Sequence, residues 1–102
     1  MSLTRRQYEL GIDDQVEGLM REIYAFLSSH RELAYSHGEL MAHFLPSVAN
    51  RKASEPKFLR ALAVLSALGA IDRGVVGSEL YYAWEQEFDV AWWEPKRTLS
   101  LV

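Results

Sequence analysis

Phe58-Leu59-Arg60-Ala61-Leu62-Ala63-Val64-Leu65-Ser66-Ala67-Leu68-Gly69-Ala70-Ile71 runs directly into Asp72-Arg73-Gly74-Val75-Val76-Gly77-Ser78-Glu79-Leu80-Tyr81-Tyr82-Ala83-Trp84, and the reading of this stretch decides the fold. In its first half Phe58, Leu62 and Leu65 share one helical face, with Ala61 and Leu68 beside them. Gly69 is the residue type that ends a helix in the left-handed conformation and lets the chain reverse. The second half reads as a β-hairpin with strands over 70–73 and 79–84. Tyr81, Tyr82 and Trp84 favour a strand, and Gly74 and Gly77 permit a tight tip over 74–78.

Upstream, residues 46–54 read as a polar connection, with Ser54 capping the next helix and Pro56 in its first turn, where a missing amide costs little. Ser36 and Glu39 have the spacing of a reciprocal capping box, flanked by Tyr35 and Leu40 at the positions of a hydrophobic staple. That helix carries Leu40, Met41, Phe44 and Leu45 inward and closes at Pro46. Residues 33–35 fit a brief first strand. A longer helix starts at Asp13 or Asp14 and ends near His30, a length of about 25 Å. Asp14 and Glu17 stand at capping-box spacing, Val16, Leu19, Met20, Ile23 and Leu27 form one apolar stripe, and Glu17 pairs with Arg21. Thr4 and Gly11 bracket a short leading helix over 4–10. After residue 84, Tyr81, Trp84, Phe88 and Trp92 fit a helical face, while Leu80, Tyr82 and Trp84, or Val90 and Trp92, fit strand alternation. A short helix over 85–93, ended before Pro95, is the favoured of the two.

The 102 residues suffice for one domain, with a core over 13–84 and a C-terminal aromatic segment over 85–102. A hydrophobic fraction of 49% and a charged fraction of 25% exclude wholesale disorder. Cysteine is absent, which excludes disulfides, thiolate metal sites and a cysteine nucleophile. No apolar run approaches the roughly 20 residues of a membrane span, and the start has no signal-peptide apolar stretch, so a cytoplasmic protein without membrane contact is expected. Met1-Ser2-Leu3 reads equally as native sequence or as an added leader. The net charge of −3 is the wrong sign for generic nucleic-acid binding. Its distribution is uneven: residues 50–73 hold Arg51, Lys52, Lys57, Arg60 and Arg73 against Glu55 and Asp72, whereas the remainder holds six basic and twelve acidic residues.

Chemistry-bearing constellations are missing. His37 and His43 are six apart and fall on different sides of a helix. Glu39 and His43 share a face but make only two ligands, and His30 sits where a helix dipole favours a cation. No glycine-rich phosphate loop and no Gly-x-Ser-x-Gly elbow is present. Asp13/Asp14 and Glu85/Glu87 read as a helix start and a solvated face. The expectation is no enzyme, no cofactor and no metal.

The order helix, short strand, helix, helix, glycine stop, glycine-flanked hairpin resembles a winged helix-turn-helix domain of the small prokaryotic transcription-regulator type. The resemblance runs over residues 13–84 in element order and rests mainly on 54–84. It implies an α+β fold with a three-helix core and a β-hairpin wing. It also implies that the third core helix enters the DNA major groove, with the wing against the backbone. On that implication Lys57, Arg60 and Ser66 are the helix residues nearest double-stranded DNA, and Arg51, Lys52 and Arg73 touch phosphates, in a homodimer. Two departures oppose it: Arg60 is the sole long polar side chain on an outward arc of Arg60, Ala63, Ser66 and Ala67, with Leu59 and Val64 at its margins, and the hairpin tip is uncharged. The second reading is therefore a winged helix used for protein–protein assembly, with Ala63, Ala67, Val75, Val76 and Trp93 at the contact.

Overall fold

The computed structural model describes residues 2–45 and 48–85. The elements run α1 (Arg5–Leu10), α2 (Asp14–Ser29), β1 (Ala34–Ser36), α3 (His37–Phe44), α4 (Val48–Leu68), β2 (Ile71–Val76) and β3 (Glu79–Trp84). Four helices thus accompany one three-stranded antiparallel sheet of order β1-β3-β2 among the described residues, a small α+β fold.

Local side chains set the helix starts. Thr4 and Gln7 close a full capping box on α1, and Gly11 ends it with φ 72°. Ser36 and Glu39 do the same for α3, through bonds of 2.8 and 3.1 Å. For α2 the cap is Asp13, whose carboxylate accepts from the Val16 amide at 2.9 Å. The expected box between Asp14 and Glu17 does not form. Glu17 accepts instead from Gln7 Nε2 at 2.8 Å and from Arg21 at 2.7 Å.

Three further expectations are corrected. α4 begins at Val48 rather than at a Ser54 cap, and Pro56 lies inside it. Residues 48–55 contain Ala49, Lys52, Ala53 and Glu55, all good helix formers, and Pro56 forfeits one backbone bond without stopping the turns on either side. β1 starts one residue later than expected, leaving Leu33 exposed. The hairpin tip is only Gly77-Ser78, since β-branched Val75 and Val76 extend β2 and pair with Leu80 and Glu79. Gly77 has φ 66°, as the first position of a two-residue loop requires.

The core is formed by Val16, Met20, Ile23 and Leu27 of α2, Leu40 of α3, and Phe58, Ala61, Leu62 and Leu65 of α4, closed by Ile71 and Tyr82 of the sheet. Val64, expected at the outward margin, is also buried, because α4 packs against both α2 and β2 and its covered arc is wider than one stripe. Trp84 is half-buried against this core. Its Nε1–H donates to the Tyr24 hydroxyl at 3.3 Å, and the Arg31 guanidinium lies 4.7 Å from its ring centre. The helix-or-strand question over residues 86–93, and with it Trp93, lies outside the described residues.

Two glycines test this account. Gly69 has φ 78° and open space where a Cβ would stand, so Gly69→Ala is expected to cost about 1 kcal/mol through backbone strain alone. Gly18, inside α2 and equally unobstructed, should gain about 0.5–1 kcal/mol on Gly18→Ala. Urea unfolding midpoints moving in opposite directions for the two variants are the expected result.

Candidate functional site

Whether α4 can meet a polyanion depends on where its charges go. Lys57 stands four residues before Ala61 and seven before Val64, so it shares the face that these buried residues occupy. Its Nζ donates to Asp13 Oδ2 at 2.9 Å and to Gln15 Oε1, bonding α4 to the start of α2. Arg60 reaches the end of α1, where Nη2 donates to the Leu10 carbonyl at 3.1 Å and Nε to the Gly11 carbonyl at 3.4 Å. A guanidinium at the carbonyl end of a helix satisfies acceptors that lack partners within the helix. The fit is close: a Cβ on Gly11 would stand 2.7 Å from Arg60 Nη2.

Asp13 is the hub of this corner. The Val16 amide first, and then Lys57, hold its carboxyl below the usual carboxylate range. Gln7 ties α1 to the neighbouring turn of α2: buried, it donates through Nε2 to Asp14 at 2.6 Å and to Glu17 at 2.8 Å, while its Oε1 accepts from the Thr4 amide at 2.9 Å.

The other residues expected at DNA are dispersed. Lys52 is exposed near the start of α4, and Arg51 precedes it in the same helix. Arg73 is exposed on β2 opposite Tyr82. Burial pushes the Tyr82 phenol up, and the neighbouring Arg73 opposes that shift. The Ser66 hydroxyl is buried and has no hydrogen-bond partner among the described residues.

The outward face of α4 carries Leu59, Ala63 and Ala67, all exposed. Ala63, Ser66 and Ala67 line one wall of an open groove of about 550 Å³, whose other wall includes Ile71, Asp72 and Arg73. Beyond the groove the hairpin overhangs the core. Val75 and Val76, each 69% exposed, point to opposite faces of the sheet. Four of the five residues expected at a protein contact are therefore solvent-exposed on neighbouring parts of α4 and the hairpin.

The histidines lie against aromatic rings. His30 Nδ1 donates to the Phe26 carbonyl at 2.7 Å, and the His30 and His43 rings lie 4.5 and 4.4 Å from the Phe26 ring. His37 sits 6.3 Å from both Phe58 and Tyr82. Among the described residues no group of three or more His, Cys, Asp or Glu side chains is placed to hold a metal ion, and no helix is long and apolar enough to cross a membrane. No family model, no curated protein and no solved structure matches the chain.

The engagement of Arg60 with α1 is measurable as a coupling. Gly11→Ala should lose about 1 kcal/mol to left-handed strain, plus the cost of displacing the guanidinium. In an Arg60→Ala background only the strain should remain, giving a coupling of about 0.5 kcal/mol in a double-mutant cycle of urea unfolding. Strict additivity would show that the contact contributes nothing. At Asp13 a depressed folded-state pKa means that its stabilisation is present above the ordinary carboxylate range and lost as pH falls through the lower, folded value. Asp13→Asn keeps a cap-competent side chain but not the ion pair. Its melting temperature should therefore fall less than that of the unsubstituted protein between about pH 5 and about pH 2.

Proposed function

We propose that this chain is a winged-helix-like protein assembly module, which binds protein through the outward face of α4 and the β2–β3 hairpin and has no appreciable affinity for duplex DNA. The single observation behind this reading is the placement of Lys57 and Arg60. Both are engaged by the corner between α1 and α2, which leaves Leu59, Ala63 and Ala67 as the outer surface of the helix. The winged-helix assignment is supported by the order of elements and by a sheet in which the strand leading out of α4 forms one edge. Small side chains let another backbone approach closely, and a hairpin ending in exposed valines offers apolar area beside them. Phosphate neutralisation, by contrast, needs several cations on one face, and among the described side chains this face offers Arg73 with Lys52 at a distance along the helix.

Fluorescence anisotropy on a generic labelled duplex tests the reading. At about 0.15 M salt the expected dissociation constant is weaker than about 10⁻⁴ M, outside the ordinary range of non-specific DNA binders. Micromolar binding that weakens in Lys52→Ala and Arg73→Ala would instead establish the regulator reading. On the protein side, Ala63→Glu should abolish the stable association of the chain with its partner while leaving its circular dichroism unchanged.

A further inference from the structure

We propose that β2 is a homotypic pairing edge, through which two copies of this chain join their sheets antiparallel about a two-fold axis at Gly74. This inference rests on the reading of the α4 and hairpin surface as a protein-binding one, and it assigns the hairpin edge of that surface to a second copy. The two edges of the sheet differ in kind. β1, at one edge, is three residues long, and shortness is itself a guard against unwanted pairing. β2, at the other, is six residues long and pairs with β3 without interruption from Ile71↔Trp84 to Val76↔Glu79. It contains no proline and no bulge, and the charges that could blunt this edge are confined to the adjacent pair Asp72 and Arg73. No strand lies beside its outer side among the described residues, and there the Arg73 amide donates to its own neighbour, Asp72 Oδ1, at 3.0 Å, a bond that a paired strand would have to replace.

The sequence of β2 narrows the symmetric registers open to it. Charge is confined to Asp72 and Arg73, and the apolar pair Val75 and Val76 lies beyond Gly74. In a two-fold antiparallel pair, opposed residues share a face, so each symmetric register is centred on one residue. Centring on Asp72 or Arg73 sets like charges directly opposite each other, which is destabilising. Centring on Gly74 sets Arg73 opposite Val75 and Asp72 opposite Val76, twice over. No like charges then oppose, and the aliphatic stem of each Arg73 can cover the valine of the other copy. Gly74 also suits the axis itself, because nothing stands within 4 Å of the position a Cβ would take and its backbone is not left-handed. Val75 and Val76 lie on opposite faces of the sheet, so the same pairing covers apolar surface on both.

The chain lacks cysteine, so a single introduced thiol reports the register directly. Opposed residues at the axis lie about 5 Å apart between Cα atoms, within disulfide reach. Gly74→Cys should therefore link two chains under mild oxidation, whereas Asp72→Cys, about 13 Å from its counterpart in this register, should not. Sedimentation of the unsubstituted protein should give twice the mass of one chain. The double variant Val75→Lys with Val76→Lys should raise the dimer dissociation constant by about tenfold or more, with an unchanged circular dichroism spectrum. A monomer at all concentrations with no Gly74→Cys cross-link overturns the proposal. So does a dimer untouched by the two lysines, or equal cross-linking at 72 and 74. A monomer that binds no duplex DNA would sink this inference and leave the assembly reading standing, whereas a dimer that binds duplex at micromolar concentration would do the reverse.

Discussion

The rotation of α4 about its own axis determines nearly everything on the surface, and the apolar seam between α2 and α4 fixes that rotation. Met20, Ile23 and Leu27 meet Phe58, Leu62 and Leu65, all six essentially removed from solvent. Each such side chain contributes about 1.5–3 kcal/mol by burial. A solvent-exposed ion pair such as Lys57–Asp13 contributes far less, because water and salt screen it. Packing therefore sets the helix orientation, and the polar contacts follow from it. With Phe58 inward, Lys57 is carried to the start of α2, Arg60 to the end of α1, and Ala63 and Ala67 to the outside.

The N-terminal corner shows how one set of short-range rules feeds another. Thr4 and Gln7 form α1 by local bonding, and Gly11 ends it in a left-handed turn. That turn brings Asp13 to the cap of α2 and aims the Leu10 and Gly11 carbonyls at α4. Gln7 then serves two purposes at once: its oxygen completes the cap of its own helix, and its amide bonds Asp14 and Glu17 of the next. A buried amide with both ends satisfied costs little, whereas the same side chain left unpaired would cost about 1–3 kcal/mol.

What was legible in the sequence was what neighbouring residues decide. The Ser36–Glu39 box, the bracket of Thr4 and Gly11, the α4 stripe and the Gly69 stop each need fewer than a dozen residues of context. What was not legible involves partners far apart in sequence. Lys57 bonds Asp13 across 44 residues and Arg60 bonds Leu10 across 50, so neither engagement has a local signature. For Lys57 a clue was present: its i, i+4, i+7 relation to Ala61 and Val64 places it on the inward side once Ala61 is taken as core. Ser54 and Pro56 misled because a cap residue followed by proline is a frequent helix start, yet nothing in 48–53 opposes a helix. The pair of glycines at 74 and 77 misled in a similar way. Glycine permits a turn without requiring one, and the β-branched residues between the two favour strand.

The hairpin shows how a small core can present a firm outer surface. Its inner face descends in rungs: Ile71 with Trp84, Arg73 with Tyr82, Val75 with Leu80. At the first rung Ile71 is buried, and Trp84 is clamped by the Tyr24 hydroxyl below and the Arg31 guanidinium above. At the second, Tyr82 still reaches the core while Arg73 does not. At the third, Leu80 is half-buried at the margin of the core, while Val75 opposite it stands in solvent. The apolar character of the rungs thus continues past the point at which the fold can bury it. Extra strand length of this kind adds little to the stability of the monomer, since its side chains leave water only in part. A physical use for that length arises once a second surface covers it, and the anchored rungs at the base hold the overhang in position to be covered.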